Sequence, residues 1–173
     1  MYNRYKIKKG VAVMNKEILS LLMKNARYTA EDISIMTGMS KEDVITEIRD
    51  MEHAGIICGY KPVINIEKID KANVSALIEL KVTPEANKGF EDIAMQIMKY
   101  SEVESVYLMS GGYDLCCIVK GKTFQEVAMF VGKVLAPMHG VISTATHFVL
   151  RRYKEMDVIL SDNSTDDRGS ISL

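Results

Sequence analysis

The chain has 173 residues, 22 Lys plus Arg against 23 Asp plus Glu, and 47% hydrophobic residues. That balance excludes disorder as the main state and suits one medium domain or two small ones. No apolar run approaches the roughly 18–20 residues of a membrane helix, no apolar stretch follows the N-terminal charges as a secretory signal requires, and three cysteines, two of them adjacent, indicate reduced thiols in a cytoplasmic protein rather than a disulfide framework.

Residues 1–13 carry Arg4, Lys6, Lys8 and Lys9 and no acid. They read either as a basic arm that touches phosphate or as an artefact of start-site choice, because Met14 opens the first periodic segment. Ile18, Leu21 and Leu22 then mark one face of a helix over about Asn15 to Asn25, with Asn15 as its cap. Thr29 with Asp32 three residues on suits a capping box, and Ile33 and Met36 carry the apolar face of the second helix. Gly38 supplies a sharp turn. Ser40 caps a third helix that runs to about Ala54, with Val44, Ile45, Ile48 and Met51 as its buried stripe and Gly55 as its stop. Two helices across a short Gly turn make a helix-turn-helix, although a generic three-helix bundle has the same spacing. Ile56 to Ile64 reads as an extended wing or linker strand.

The second block alternates strand and helix. Val74, Ala76, Ile78, Leu80 and Val82 share one strand face, and Pro84 ends it. Phe90, Ile93, Ala94, Ile97 and Met98 have helical spacing. Val103 to Met109 and Tyr113 to Val119 form a hairpin about Ser110-Gly111-Gly112. Phe124 to Leu135 is a second helix, Val141 to Leu150 a long closing strand, and Val158 to Leu160 a short extra one. The order β-α-β-β-α-β is that of a ferredoxin-like domain, with both helices on one sheet face. Both faces of the closing strand are partly apolar, so the uncovered face needs a partner, and a second copy supplies it. Ser161 to Leu173 reads as a disordered tail.

Three stretches carry a family resemblance. They are Glu52-His53-Ala54-Gly55-Ile56-Ile57-Cys58-Gly59-Tyr60, Ser110-Gly111-Gly112-Tyr113-Asp114, and Gly140 to Leu150 with its Thr144 and Thr146. In order and spacing they resemble the Lrp/AsnC (feast/famine) family of prokaryotic transcription regulators, over about Met14 to Leu160. The resemblance implies an α+β chain, with an N-terminal winged helix-turn-helix followed by a ferredoxin-like βαββαβ (RAM-type) domain. Between the basic arm or start-site artefact at 1–13 and the disordered tail at 161–173, it implies a DNA-binding domain at 14–60, a linker strand at 61–73 and an effector-binding and oligomerisation domain at 74–160. It further implies double-stranded DNA and a small amino-acid effector as partners, and a homo-oligomer, with dimers that often assemble into octamers and bind effector between dimers. No membrane and no cofactor is implied.

On DNA, the exposed positions of the third helix include Lys41, Thr46 and Arg49, which suit phosphate or base edges, with backbone contacts from Lys61 and the helix start at Thr29. Residues 14–60 nevertheless hold five basic groups against eight acidic ones, and Glu42, Glu47 and Asp50 share the helix with the cations. Each acid near a phosphate opposes binding, so affinity per head is low and several heads act together. An amino-acid sensor with degenerate heads is the alternative.

For the effector, Asp114 suits an ammonium, and the N–H groups about Gly111 and Gly112 suit a carboxylate. Ser110 belongs to the same loop, Met109 and Tyr113 suit an apolar or aromatic side chain, and Thr144 and Thr146 add hydroxyls. The resemblance places these positions together at an effector pocket for a small neutral amino acid. A plain Gly-rich hairpin, with Thr favoured by strand propensity, reads equally well from composition. The family usually has an acid where this chain has Gly112.

Chemistry has little support. The three histidines, His53, His139 and His147, form no metal-ligand spacing, and Cys116 and Cys117 point to opposite faces of a strand. Neither a catalytic residue nor a metal ligand is expected. An enzyme reading rests only on similarly built tetrapyrrole decarboxylases and on His147 beside Thr146.

Overall fold

The computed structural model describes residues 14–70, 73–84 and 89–160. The arm and tail assigned to 1–13 and 161–173 lie outside them. The chain divides into two compact units, with the division between Pro62 and Val63.

The first unit is three helices, each started by a side-chain cap. Asn15 accepts from the N–H groups of Glu17 and Ile18 at the start of α1 (Lys16–Lys24). Thr29 and Asp32 form the full capping box of α2 (Ala30–Thr37). The Thr29 N–H and hydroxyl donate to Asp32 Oδ2 at 2.8 and 2.7 Å, and the Thr29 hydroxyl holds the Asp32 carboxyl below the usual range. Gly38 then turns the chain with φ +69, a conformation that other L residues adopt only with strain, and Ser40 caps α3 (Lys41–His53). Ile18, Leu22, Ile33, Val44 and Met51 form the core, with Ile48, Ile56 and Ile57 packed on it.

Two positions of the expected apolar stripe point outward. Ile45 is 39% exposed and Met36 48%. Val44, Ile48 and Met51 close the buried arc of α3, and Ile45 lies about 100° beyond Val44 on the helix. On α2, Ile33 and Thr37 lie one above the other at i and i+4, with the Thr37 hydroxyl bonded back to the Ile33 carbonyl, so Met36 falls off that line. The wing strand is also absent. Residues 56–64 pair with no strand of the described chain, and the next element is a single 3-10 turn at Ile66–Lys68. The Ile56 and Ile57 N–H groups instead bond the Met51 carbonyl, and Tyr60 donates its hydroxyl to Glu52 at 3.0 Å, so the segment folds back on α3.

The second unit is a four-stranded antiparallel sheet of order β2-β3-β1-β4. Its elements are β1 (Val74–Val82), α4 (Glu91–Ile97), β2 (Val103–Leu108), β3 (Leu115–Gly121), α5 (Phe124–Phe130) and β4 (Val141–Phe148). The α+β architecture read from the sequence is the one observed. The limits differ slightly: β3 begins at Leu115 and not Tyr113, β4 ends at Phe148 and not Leu150, and the helix expected to Leu135 passes into a π turn at Val131–Leu135. A two-residue hairpin comes last, β5 (Lys154–Glu155) with β6 (Val158–Ile159). No helix among the described residues is long and apolar enough to cross a membrane.

Alternation decides the faces. Ala76, Ile78 and Leu80 are fully buried against the helices, together with Leu115, Cys117 and Val119 of β3. The register puts Ser75, Leu77 and Glu79 of β1 on the other face, beside Cys116, Ile118 and Lys120 of β3 and Ala145 and His147 of β4. That face is therefore mixed rather than wholly apolar: His147 Nε2 lies 3.5 Å from Glu79 Oε1 beside Leu77 and Ile118.

The adjacent cysteines separate as strand geometry requires, Cys117 to the core and Cys116 to the open face. Burial pushes the Cys117 thiol up to about 12 and raises Cys116 as well, whereas Cys58 is exposed. Only the thiolate is nucleophilic. In the native protein at pH 8, Ellman's reagent is expected to titrate Cys58 promptly and Cys117 only after denaturant is added. Equal rates for all three thiols would contradict this packing.

Candidate functional site

Two groups of residues carry the expected chemistry, one in each unit. In the first unit, α3 presents Glu42, Ile45, Thr46 and Arg49 on the side away from Val44, Ile48 and Met51. Arg49 is exposed there. Lys41 is exposed too, but its ammonium lies 2.9 Å from Glu31 of α2, and that carboxylate raises its affinity for the proton. The Thr46 hydroxyl donates to the Glu42 carbonyl of its own helix at 2.9 Å. Thr29 is spent on its cap, and Lys61 is exposed next to Tyr60. Of the five residues expected at DNA, Arg49 and Lys61 are solvent-exposed and enter none of these contacts, while Lys41, Thr46 and Thr29 each hold another group.

In the second unit, the loop between β2 and β3 is closed by backbone bonds. The Met109 N–H donates to the Asp114 carbonyl at 2.8 Å, and the Asp114 N–H to the Leu80 carbonyl at 3.0 Å. Gly111 has φ +137, open to glycine and costly for any other residue, and it and Gly112 are exposed with Ser110. Burial raises the Tyr113 hydroxyl pKa, with Cys116 and Glu79 adding to the shift. Asp114 itself has a structural contact: its Oδ2 accepts the Val82 N–H at 2.9 Å, beside the bulge between Lys81 and Val82. An interrupted ladder leaves a donor at the bulge, and the aspartate satisfies it.

Thr144 and Thr146 share a face, as expected, and it is the helix-bearing one. Thr146 lies opposite Ile78 and Thr144 opposite Leu80, whose other neighbour is Leu115. The threonines and the loop thus occupy one end of the sheet, but β1 stands between them. Two strand spacings put the Leu115 and Thr144 backbones roughly 10 Å apart. Within one chain the loop residues come together and the threonine pair flanks them without joining them.

Sequence reasoning misses two groupings. One is the Glu31 pairing of Lys41, across helices. The other brings Asn65, Glu67, Ser75 and Arg152 together at the opposite end of the sheet, from positions too far apart in sequence for any local spacing to reveal. Among the described residues no three His, Cys, Asp or Glu side chains could hold a metal ion. His147 and Thr146, neighbours in sequence, face opposite sides of the sheet.

With this geometry in view, likeness to known proteins is informative. Residues 75–159 match the family model described as the Lrp/AsnC ligand binding domain. An uncharacterised HTH-type transcriptional regulator, YugG of Bacillus subtilis, is 39% identical over 90% of this chain and 95% of its own length. The leucine-responsive regulatory protein of Haemophilus influenzae is 24% identical over 88% of this chain and 91% of its own. Among solved structures, a Neisseria meningitidis transcriptional regulator in complex with L-Met superposes with a TM-score of 0.66 at 23% identity, over 90% of this chain and 96% of that one. Escherichia coli AsnC superposes at 0.62 and 22%, over 86% and 95%.

Proposed function

The chain belongs to the Lrp/AsnC family of transcriptional regulators, and from that premise we propose that it binds duplex DNA through α3 and senses a small neutral amino acid at the Ser110 to Asp114 loop, as a cytoplasmic homo-oligomer of at least two chains. The observation that supports it most is the pairing, in one chain, of a capped helix-turn-helix with Arg49 on its outer face and a sheet domain whose one face is bare of helices. The bare face packs on its counterpart in a second copy, and two heads then read half-sites about one or more helical turns apart. In the effector site, Asp114 takes the ammonium and the Gly111 and Gly112 N–H groups the carboxylate, while Thr144 and Thr146 are supplied by a neighbouring chain. The relatives' names describe regulators, which favours this reading over an enzyme.

A second reading has its own observation. Lys41 is held by Glu31, and Glu42 shares the outer face with Arg49, so a head too acidic to bind would leave an amino-acid sensor alone. Fluorescence anisotropy with the protein's own upstream DNA separates the two. At low salt the wild type is expected to bind, and Arg49→Ala to lose about 1–3 kcal/mol if Arg49 reads a guanine edge. If it touches phosphate alone, the loss will be the same on every sequence and the salt slope will fall by about one. Absence of wild-type binding would favour the sensor reading instead.

A further inference from the structure

The outer face of α3 carries a side chain that neither the core nor the charge pattern accounts for. Ile45 is 39% exposed, although its type and its place beside Val44 suit burial. Val44, Ile48 and Met51 turn to the core. Ile45 stands instead between Lys41 and Arg49, at i, i+4 and i+8, in one row along the helix. Thr46 lies next to that row. Its hydroxyl proton is committed to the Glu42 carbonyl at 2.9 Å, so towards a ligand it offers a methyl group and an acceptor.

The row holds little charge for phosphate. The Lys41 ammonium lies 2.9 Å from Glu31, which leaves the Arg49 guanidinium at the far end of the row. Residues 14–60 carry five basic groups against eight acidic ones, so the counterion-release term that drives non-specific binding is small in this unit. A head of that balance depends the more on what its side chains gain at base edges. A single exposed isoleucine elsewhere on a surface needs no explanation. On a helix that lies in the major groove it meets base edges, and there one DNA base displays a methyl group: thymine, at C5.

We propose that Ile45 reads the C5 methyl of a thymine in the major groove, with the Thr46 methyl beside it, close to the base that Arg49 contacts. This inference rests on α3 entering duplex DNA, and it adds which base the helix prefers and which side chain makes the preference. Four residues of helix rise about 6 Å, so the thymine and the base at Arg49 lie about one or two base steps apart. Burying one methyl group is a gain of about four-fold for each head, and two heads on one duplex multiply it to roughly ten-fold or more. Ile45 thus serves as a specificity residue and not as a misplaced part of the core.

The probes are a duplex of the protein's own upstream DNA and the same duplex with every thymine replaced by deoxyuracil. The replacement removes the methyl groups and keeps every hydrogen-bonding group. By fluorescence anisotropy at low salt, the full-length wild type is expected to bind the thymine duplex roughly ten-fold more tightly than the uracil one. Ile45→Ala changes an exposed position to a good helix former, so its thermal melt is expected to match the wild type. It is expected to bind the thymine duplex about ten-fold more weakly and the two duplexes alike, which separates a side-chain contact from any change in duplex shape. Ile45→Val, which keeps a branched apolar side chain, is expected to retain the preference. Arg49→Ala is expected to lose affinity for both duplexes and to keep their ratio. A wild type that binds both duplexes equally, or an Ile45→Ala protein that keeps the wild-type ratio, would overturn the assignment and leave DNA binding by α3 standing. A wild type that binds neither duplex would overturn both.

Discussion

Under the proposed pairing of sheet faces and DNA binding by both heads, Leu77→Asp is expected to leave the protein monomeric and to weaken its hold on DNA by about two to four orders of magnitude. Leu77 stands at the centre of the open sheet face, opposite Ile118 on one side and His147 on the other. The apolar residues of the opposite face are buried under α4 and α5, whereas on this one Leu77 and Ile118 stay partly exposed. Burying one Leu or Ile side chain stabilises by about 1.5–3 kcal/mol, and a symmetric pairing buries each twice. A carboxylate in the same place must be desolvated beside Glu79, two positions along the strand on the same face, whose own oxygen already lies 3.5 Å from His147. Losing the pairing also separates the two DNA-binding heads. Linked heads gain roughly 10²–10⁴ over a single one without any new contact, and that factor is what the monomer forfeits. Leu77→Ala, which removes only apolar area, is expected to raise the dimer dissociation constant while the protein remains dimeric at tens of micromolar. Light scattering and anisotropy on the same samples test both. A monomeric wild type, or a Leu77→Asp protein that is still dimeric, would show that this face is not the interface.

Much of this fold is readable because its signals are local. Thr29 with Asp32, and Ser40 with Asp43, lie within one turn, so a cap seen in the sequence is a cap in the structure. The alternation of β1 is equally direct, since every second residue from Val74 to Val82 is buried. The features that differ depend on contacts between elements. β-Propensity suggests a wing, but a strand exists only if another strand pairs with it, and within this chain Ile56 and Ile57 find the Met51 carbonyl instead. Hydrophobicity alone places Ile45 inside, whereas the packing of α2 on α3 selects a narrower arc. The same distinction holds at the sites. The Gly111 turn is a local property and is legible. The Glu31 grip on Lys41 and the Arg152 contacts to Ser75 and Glu67 are long-range, and no spacing encodes them.

Asp114 combines both kinds of information, and its two substitutions are expected to part company. The sequence reads it as the anion for an effector ammonium. The structure adds that its Oδ2 accepts the Val82 N–H, at the end of β1 where the ladder is interrupted. Asp114→Ala therefore removes two things at once. It leaves the Val82 donor without its acceptor, which costs about 1–3 kcal/mol, and it deletes the charge. Loss of effector binding in that variant would not distinguish a damaged loop from a missing ligand contact. Asp114→Asn keeps an oxygen for the Val82 N–H and removes only the charge, so its thermal stability is expected to stay near that of the wild type. An ammonium that loses a charged partner forfeits about 1.5–3 kcal/mol, so the affinity of the loop for a neutral amino acid should fall roughly ten-fold to a hundred-fold. Calorimetry against the twenty amino acids, run on wild type, Asp114→Asn and Asp114→Ala beside thermal melts, reads both effects. A wild type that binds while Asp114→Asn binds equally well would leave Asp114 as the residue that closes the end of β1, and would move the ammonium contact elsewhere.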